Sequence, residues 1–205
     1  MEIPLSGLLL FITHLLSSIT VGIIFRFWKY NSNTNVQNYT YIKREKKLPP
    51  KLSSLGSILQ ASIMSSIKTV VMVGGFVVLF SVIISILNNT GIIKILSTII
   101  TPILSLFHIP SSFASGILSG IVELTNGVSI ISHIPMKAIS VNMCICAFLL
   151  GFGGISVLLQ VLSITSTSDI SIKPYIIGKL MQGCIAAIYT YILIQNFAVF
   201  NFDII

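Results

Sequence analysis

Apolar residues occupy long blocks of this chain, separated by short polar stretches, and the block lengths decide which elements can form. Ile3 to Phe25 is about 23 mostly apolar residues, enough to cross a hydrocarbon core of roughly 30 Å with some tilt. Glu2 precedes this run and Arg26 and Lys29 follow it. That is the reverse of a cleaved signal peptide, so the run reads as a mature span with its amino end outside. His14, in mid-span, reads as a neutral imidazole bonded to a neighbouring helix in preference to a proton carrier. Asn31 to Lys51 carries Asn-Ser-Asn-Thr-Asn, a Lys43-Arg44-Glu45-Lys46-Lys47 run and Pro49-Pro50. It buries too little apolar surface to offset its ordering entropy and is expected to be a mobile cytoplasmic linker. Leu52 to Ile67 is amphipathic and is expected to lie at the interface before Lys68. Thr69 to Leu87 then forms the second span, in which Gly74-Gly75 should allow close approach of another backbone.

Beyond Asn88-Asn89-Thr90-Gly91 the pattern changes. Ile92 to Phe107 is about 16 residues with Lys94 early and Pro102 late, a short or surface-lying helix. Ser111 to Val122 is shorter and stops at Glu123-Leu124-Thr125-Asn126-Gly127, after which Ser129 to Ile134 resumes the apolar character. This reads as one span interrupted in its middle. Met136 to Leu150 and Ile155 to Ile164 are apolar arms around Gly151-Phe152-Gly153-Gly154. Arms of this size around a glycine tip suit a re-entrant hairpin. After a polar link through Asp169, Lys173 and Pro174, Tyr175 to about Phe200 is a full closing span. The expected fold is therefore all-α: a polytopic membrane protein with broken helices and a re-entrant hairpin. Its parts are a span at 1–25, a basic linker at 26–51 and a transmembrane domain at 52–205.

Composition agrees with the pattern. The chain is 54% hydrophobic and 8% charged, against about a quarter charged in soluble domains. The net charge of +7 does not point to nucleic acid, because seven of the twelve Lys and Arg residues lie between Arg26 and Lys51. One basic loop is an orientation signal on the cytoplasmic side, with a further capacity for anionic lipid headgroups. Cys144, Cys146 and Cys184 sit in apolar runs with no His or acid spaced to complete a site, and read as small core residues. No cofactor or metal site is expected. P-loop, zincin and hydrolase-elbow motifs are absent from the sequence. With five acids in all, paired-carboxylate catalysis has no basis, and the chain does not read as an enzyme.

Chemistry concentrates at the two interruptions. Glu123 is the only acid between Glu45 and Asp169, and a lone charge at a membrane centre costs about 2.5–3.5 kcal/mol on insertion scales. Irregular backbone at that depth survives only where protein or trapped water satisfies it, and secondary transporters use such broken helices to hold anionic groups and coupling ions. Candidate substrate-contacting residues are Glu123, Thr125 and Asn126 at the first interruption. At the second they are Gly151, Phe152, Gly153 and Gly154, with Ser156 and Gln160 beyond it.

Three blocks, Gly74 to Ser81, Ser119 to Gly127 and Phe152 to Val161, with Asp169-Ile170 and Lys173-Pro174-Tyr175 after them, resemble the sporulation integral membrane protein YlbJ family, also called SpoVV. More distantly, the same half is similar to the nucleoside-recognition gate domain and to the carboxyl-terminal part of concentrative nucleoside transporters. There an Asn-Glu-Phe break and a Gly-Phe-Ala-Asn tip occupy the places of Glu123 and of Gly151 to Gly154. The resemblance implies a gate-like domain at 52–205 and a multi-pass protein of the outer forespore membrane that moves dipicolinic acid. Gly154 in place of the transporters' Asn argues against a nucleoside. Family members are about twice this length and built of two similar halves, so the resemblance implies either a fragment or split protein that needs its other half as a first-half partner chain, or self-assembly. The rival readings are a non-transporting scaffold for sporulation proteins, acting through the basic loop, and a transporter of nucleosides or another metabolite.

Overall fold

In hydrocarbon a backbone must satisfy its own polar groups, which leaves helices as the natural solution for these apolar runs. A computed structural model of the chain describes residues 3–27, 55–135, 139–166 and 171–199, and every regular element among the described residues is helical. In order these are α1 (Ile3–Arg26), α2 (Leu55–Asn89), α3 (Ile92–Leu106), a single 3-10 turn (Ser111–Phe113), α4 (Ala114–Val122), α5 (Leu124–Ser132), α6 (Ile139–Phe152), α7 (Gly154–Thr165) and α8 (Lys173–Val199). Four stretches are long and apolar enough to cross a membrane: Ser6–Arg26, Leu55–Asn89, Val141–Thr165 and Lys173–Asn196. The protein is an all-α, multi-pass membrane protein. The expected basic linker at 26–51 lies almost wholly outside the described residues.

The amphipathic stretch and the second span are not separate elements. From Leu55 the chain runs as one 35-residue helix through Lys68 to Asn89. No proline interrupts it, and the hydroxyls of Ser66 and Thr69 bond back to the carbonyls of Ser62 and Ser65 within the same helix. A lone lysine on an exposed face leaves such a helix intact, because its stem packs on apolar surface while its ammonium reaches for water. Among the described residues no backbone approaches Gly74-Gly75 as expected, since a Cβ at either position would meet nothing within 4 Å. Instead α2 buries Phe80 and Ile84.

Helices α1 and α8 lie antiparallel and are joined by polar side chains. Thr190 Oγ1 donates to Thr13 Oγ1 at 3.2 Å, and the Thr20 hydroxyl meets that of Tyr189 at 2.9 Å. Such bonds join helices where apolar burial gives no driving force. The Nδ1 of His14 is buried without a partner among the described residues. Helix α6 crosses α8 with glycine on glycine, where a Cβ on Gly151 would stand 2.6 Å from Gly183 Cα. The core is built around α6 from Phe113, Ile131, Ile145, Cys146 and Leu149. Cys184 is exposed, not in the core; it follows Gly183, and a helix turns the next residue away from the contacting face.

The two interruptions behave oppositely to expectation. Helices α4 and α5, nine residues each, fold back on one another at Glu123. A Cβ on Gly127 would collide with Gly120 Cα, and one on Gly116 would stand 2.7 Å from Ile131 Cγ1. Arms of nine residues are about 13 Å long, too short to span, so this pair is the re-entrant hairpin. The run expected to be a hairpin, α6–α7, continues as an interrupted span: α6 packs on α8 and α1, whereas α7 packs on α2 and α4. Small residues decide the difference. Gly116, Gly120 and Gly127 let two backbones touch, and nothing comparable joins α6 to α7. Asn142 on α6 fixes the far end of the hairpin by donating to the carbonyls of Ile131 and Ile134 at 3.2 and 3.1 Å.

Gly127→Ala is expected to destabilise the folded protein by about 1–3 kcal/mol through overpacking. Gly74→Ala, on the open face of α2, should be neutral or up to roughly 1 kcal/mol stabilising. Unfolding of the purified protein in detergent, followed by circular dichroism, compares the two.

Candidate functional site

The first interruption is one residue wide. Glu123 is extended (φ −144°, ψ 120°) between α4 and α5. Its N–H still donates to Ser119 O at 2.7 Å, and its carbonyl accepts from Gly127 N at 3.3 Å. Thr125, Asn126 and Gly127, expected to form the break, are the first turn of α5. The reason is the Glu123 side chain, which caps that turn. Oε1 accepts from Thr125 N at 3.1 Å. Oε2 accepts from Thr125 Oγ1 at 2.6 Å, Asn126 N at 2.9 Å and Asn126 Nδ2 at 2.9 Å. Capping satisfies amide donors that a helix start leaves orphaned, and a negative charge complements the positive end of the helix dipole. A carboxylate only 3% exposed is thereby supplied with four donors from its own turn. Asn126 Nδ2 also donates to Ser81 Oγ on α2 at 2.9 Å, which ties the turn to the second span.

The second interruption is equally narrow. Gly151 and Phe152 complete the last turn of α6, and Gly154 opens α7. Between them Gly153 has φ 84°, and Gly154 follows with φ 81°. Two consecutive left-handed residues are accessible to glycine and strained for any other residue type. The amide of Gly153 donates to Leu149 O at 2.7 Å, and no side chain caps α7. Within α7, Gln160 Nε2 donates to Ser156 Oγ at 3.3 Å, both buried. These two bond to each other and not to the Glu123 turn. Of the nine expected site residues, Glu123, Thr125 and Asn126 form one hydrogen-bonded unit.

The interruptions touch. A Cβ on Gly154 would stand 3.1 Å from Gly120 O, 3.4 Å from Ile121 O and 3.4 Å from Leu124 N. The amino end of α7 thus abuts the junction of α4 and α5. Ser119, fully buried one turn before Glu123, has an Oγ without a partner. Among the described residues no cluster of three His, Cys, Asp or Glu side chains could hold a metal ion.

Two neighbours of the site were not legible as such in the sequence. Ser81 lies 45 residues before its partner Asn126, and no local pattern links them. Lys179 stands in the closing span, where its Cε is 3.5 Å from the position of a Gly153 Cβ. Its Nζ donates to Gln182 Oε1 at 3.1 Å. A charge placed well inside an apolar run was the available signal.

In this polytopic helical domain a short hairpin docks on the interruption of a span, and both features fall in the segment that matches a known family. The model of the Gate family, described as nucleoside recognition, matches residues 70–168, a range that contains both interruptions. The sporulation integral membrane protein YlbJ of Bacillus subtilis (strain 168) is 32% identical over 203 aligned residues, covering 91% of this chain and 48% of that protein. The chain belongs to the YlbJ family of sporulation integral membrane proteins and spans about half the length of that curated relative. No solved structure matches it.

Glu123→Ala is expected to cost about 1–2 kcal/mol of stability through the lost cap. Ser81→Ala should cost about 0.5–1.5 kcal/mol through the lost tie to α2. Chemical unfolding of each variant in detergent, beside the parent protein, measures both.

Proposed function

We propose that this chain is a sporulation membrane protein that translocates a small anion, dipicolinate, across the outer forespore membrane, as a transporter or as half of one. The observation that carries this reading is the contact of Gly154 with Gly120, Ile121 and Leu124, which brings two helix interruptions to one place. Broken helices that meet are the feature on which secondary transporters build their solute sites. The amino end of α7 has no side-chain cap, and such an end suits a carboxylate. Glu123 has a different part in this proposal. With its oxygens engaged by Thr125 and Asn126, it shapes the turn on which α7 rests and leaves the anion to positive groups. The proposed assembly includes a further repeat, supplied by more chain, by a first-half partner or by a second copy.

Expression in a sporulating host that lacks its own family member, alone and with a first-half partner, tests the reading. Spore dipicolinate should rise toward the level of the intact host. Glu123→Gln and Gly154→Leu should each lower it severalfold while the protein stays in the membrane. Failure of every combination to restore dipicolinate rejects the proposal.

A further inference from the structure

Charges in the apolar part of this molecule are few, and of the cations among the described residues Lys179 alone is half-buried and the others are exposed. Glu123 is the one acidic residue among the described residues, and its oxygens are bonded within its own turn. Lys179 is therefore without a carboxylate partner among the described residues. It is the seventh residue of α8, about 9 Å along the helix from its start. A lysine so placed ordinarily snorkels back toward the headgroups. This one does the reverse, donating to Gln182 Oε1 at 3.1 Å, a turn deeper into the span. Its stem meanwhile passes the Gly153 interruption, with Cε 3.5 Å from the place of a Cβ there.

An open cavity of about 390 Å³ lies between α1 and α8, lined among others by Ser18, Phe25, Tyr175, Lys179 and Gln182. It offers a cation, a carboxamide and two hydroxyls on largely apolar walls, with the rings of Phe25 and Tyr175 among its lining. The amino end of α7 begins at the same Gly153 that Lys179 covers. Holding an ammonium at membrane depth without a counter-ion is costly, and such residues mark solute paths.

We infer that Lys179 is the anchoring residue of a carboxylate site in this cavity, with Gln182 holding its ammonium in place and the α7 amino end lying beyond it. The ligand class is a small, flat carboxylate, its charge on Lys179 and its ring between Phe25 and Tyr175. The inference rests on the transport reading above and assigns it a specific contact.

The test uses the purified full chain in nanodiscs of uncharged lipid, titrated calorimetrically with dipicolinate, isophthalate, benzoate and the uncharged pyridine-2,6-dicarboxamide. Parent protein should bind one or more of the carboxylates and not the dicarboxamide. Lys179→Gln should weaken that binding about tenfold or more, as loss of a charge-assisted contact does, and Lys179→Arg only about threefold. Gln182→Glu, which keeps the lysine but gives it an internal counter-ion, should weaken binding as much as Lys179→Gln. It decides the matter if Lys179→Gln fails to fold. Unchanged carboxylate affinity in the folded charge variants overturns the inference, as does a parent protein that binds none of the carboxylates. Binding of isophthalate or benzoate but not dipicolinate, lost in Lys179→Gln, supports Lys179 as the anchor while removing dipicolinate as the solute.

Discussion

Everything at the centre of this fold depends on how a carboxylate is satisfied inside an apolar domain. An ionised side chain at that depth is tolerated only with bonded partners. Glu123 finds four donors without leaving its own turn. The same bonds close the amino end of α5, so the cost of the charge and the cost of starting a helix in hydrocarbon offset one another. From this follows the reversal of α4 into α5, the placement of Asn126 against Ser81, and a fixed platform for the amino end of α7.

Glycine supplies what the carboxylate alone does not. Gly120 and Gly127 meet backbone to backbone across the hairpin, and Gly154 rests on the α4 carbonyls. A side chain at any of these would separate the two interruptions. Sequence pattern located both interruptions to within a few residues, because a lone acid and a three-glycine run are conspicuous in a chain so apolar. The all-α class was legible for the same reason, from block length and composition.

What the sequence did not reveal was which interruption reverses the chain. Thr125-Asn126-Gly127 has poor helix propensity, yet it is helical because capping and packing outweigh intrinsic preference. Gly151 to Gly154 looks like a hairpin tip, yet it redirects the chain without folding it back, since α6 is held by α8 and α1 and α7 by α2 and α4. These are outcomes of contacts between residues far apart in sequence. The Gly74-Gly75 pair failed as a predictor for a related reason, since small residues permit close approach only where a partner arrives. A single charge such as Lys179 does not alter the length of an apolar run, so the pattern of runs gives it no weight.

The account stands or falls on the reversal at Glu123, since only a hairpin brings Gly120 beneath Gly154. Cysteines at 116 and 131, in a protein whose Cys144, Cys146 and Cys184 are replaced by serine, measure it directly. A Cβ on Gly116 would lie 2.7 Å from Ile131 Cγ1, within reach of a disulfide. Fifteen residues of continuous helix would hold the two positions about 22 Å apart. Mild oxidation in membranes, followed by maleimide labelling of the remaining thiols, should find both cysteines protected and released by reductant. Two freely labelled thiols after oxidation would contradict the hairpin and, with it, the site.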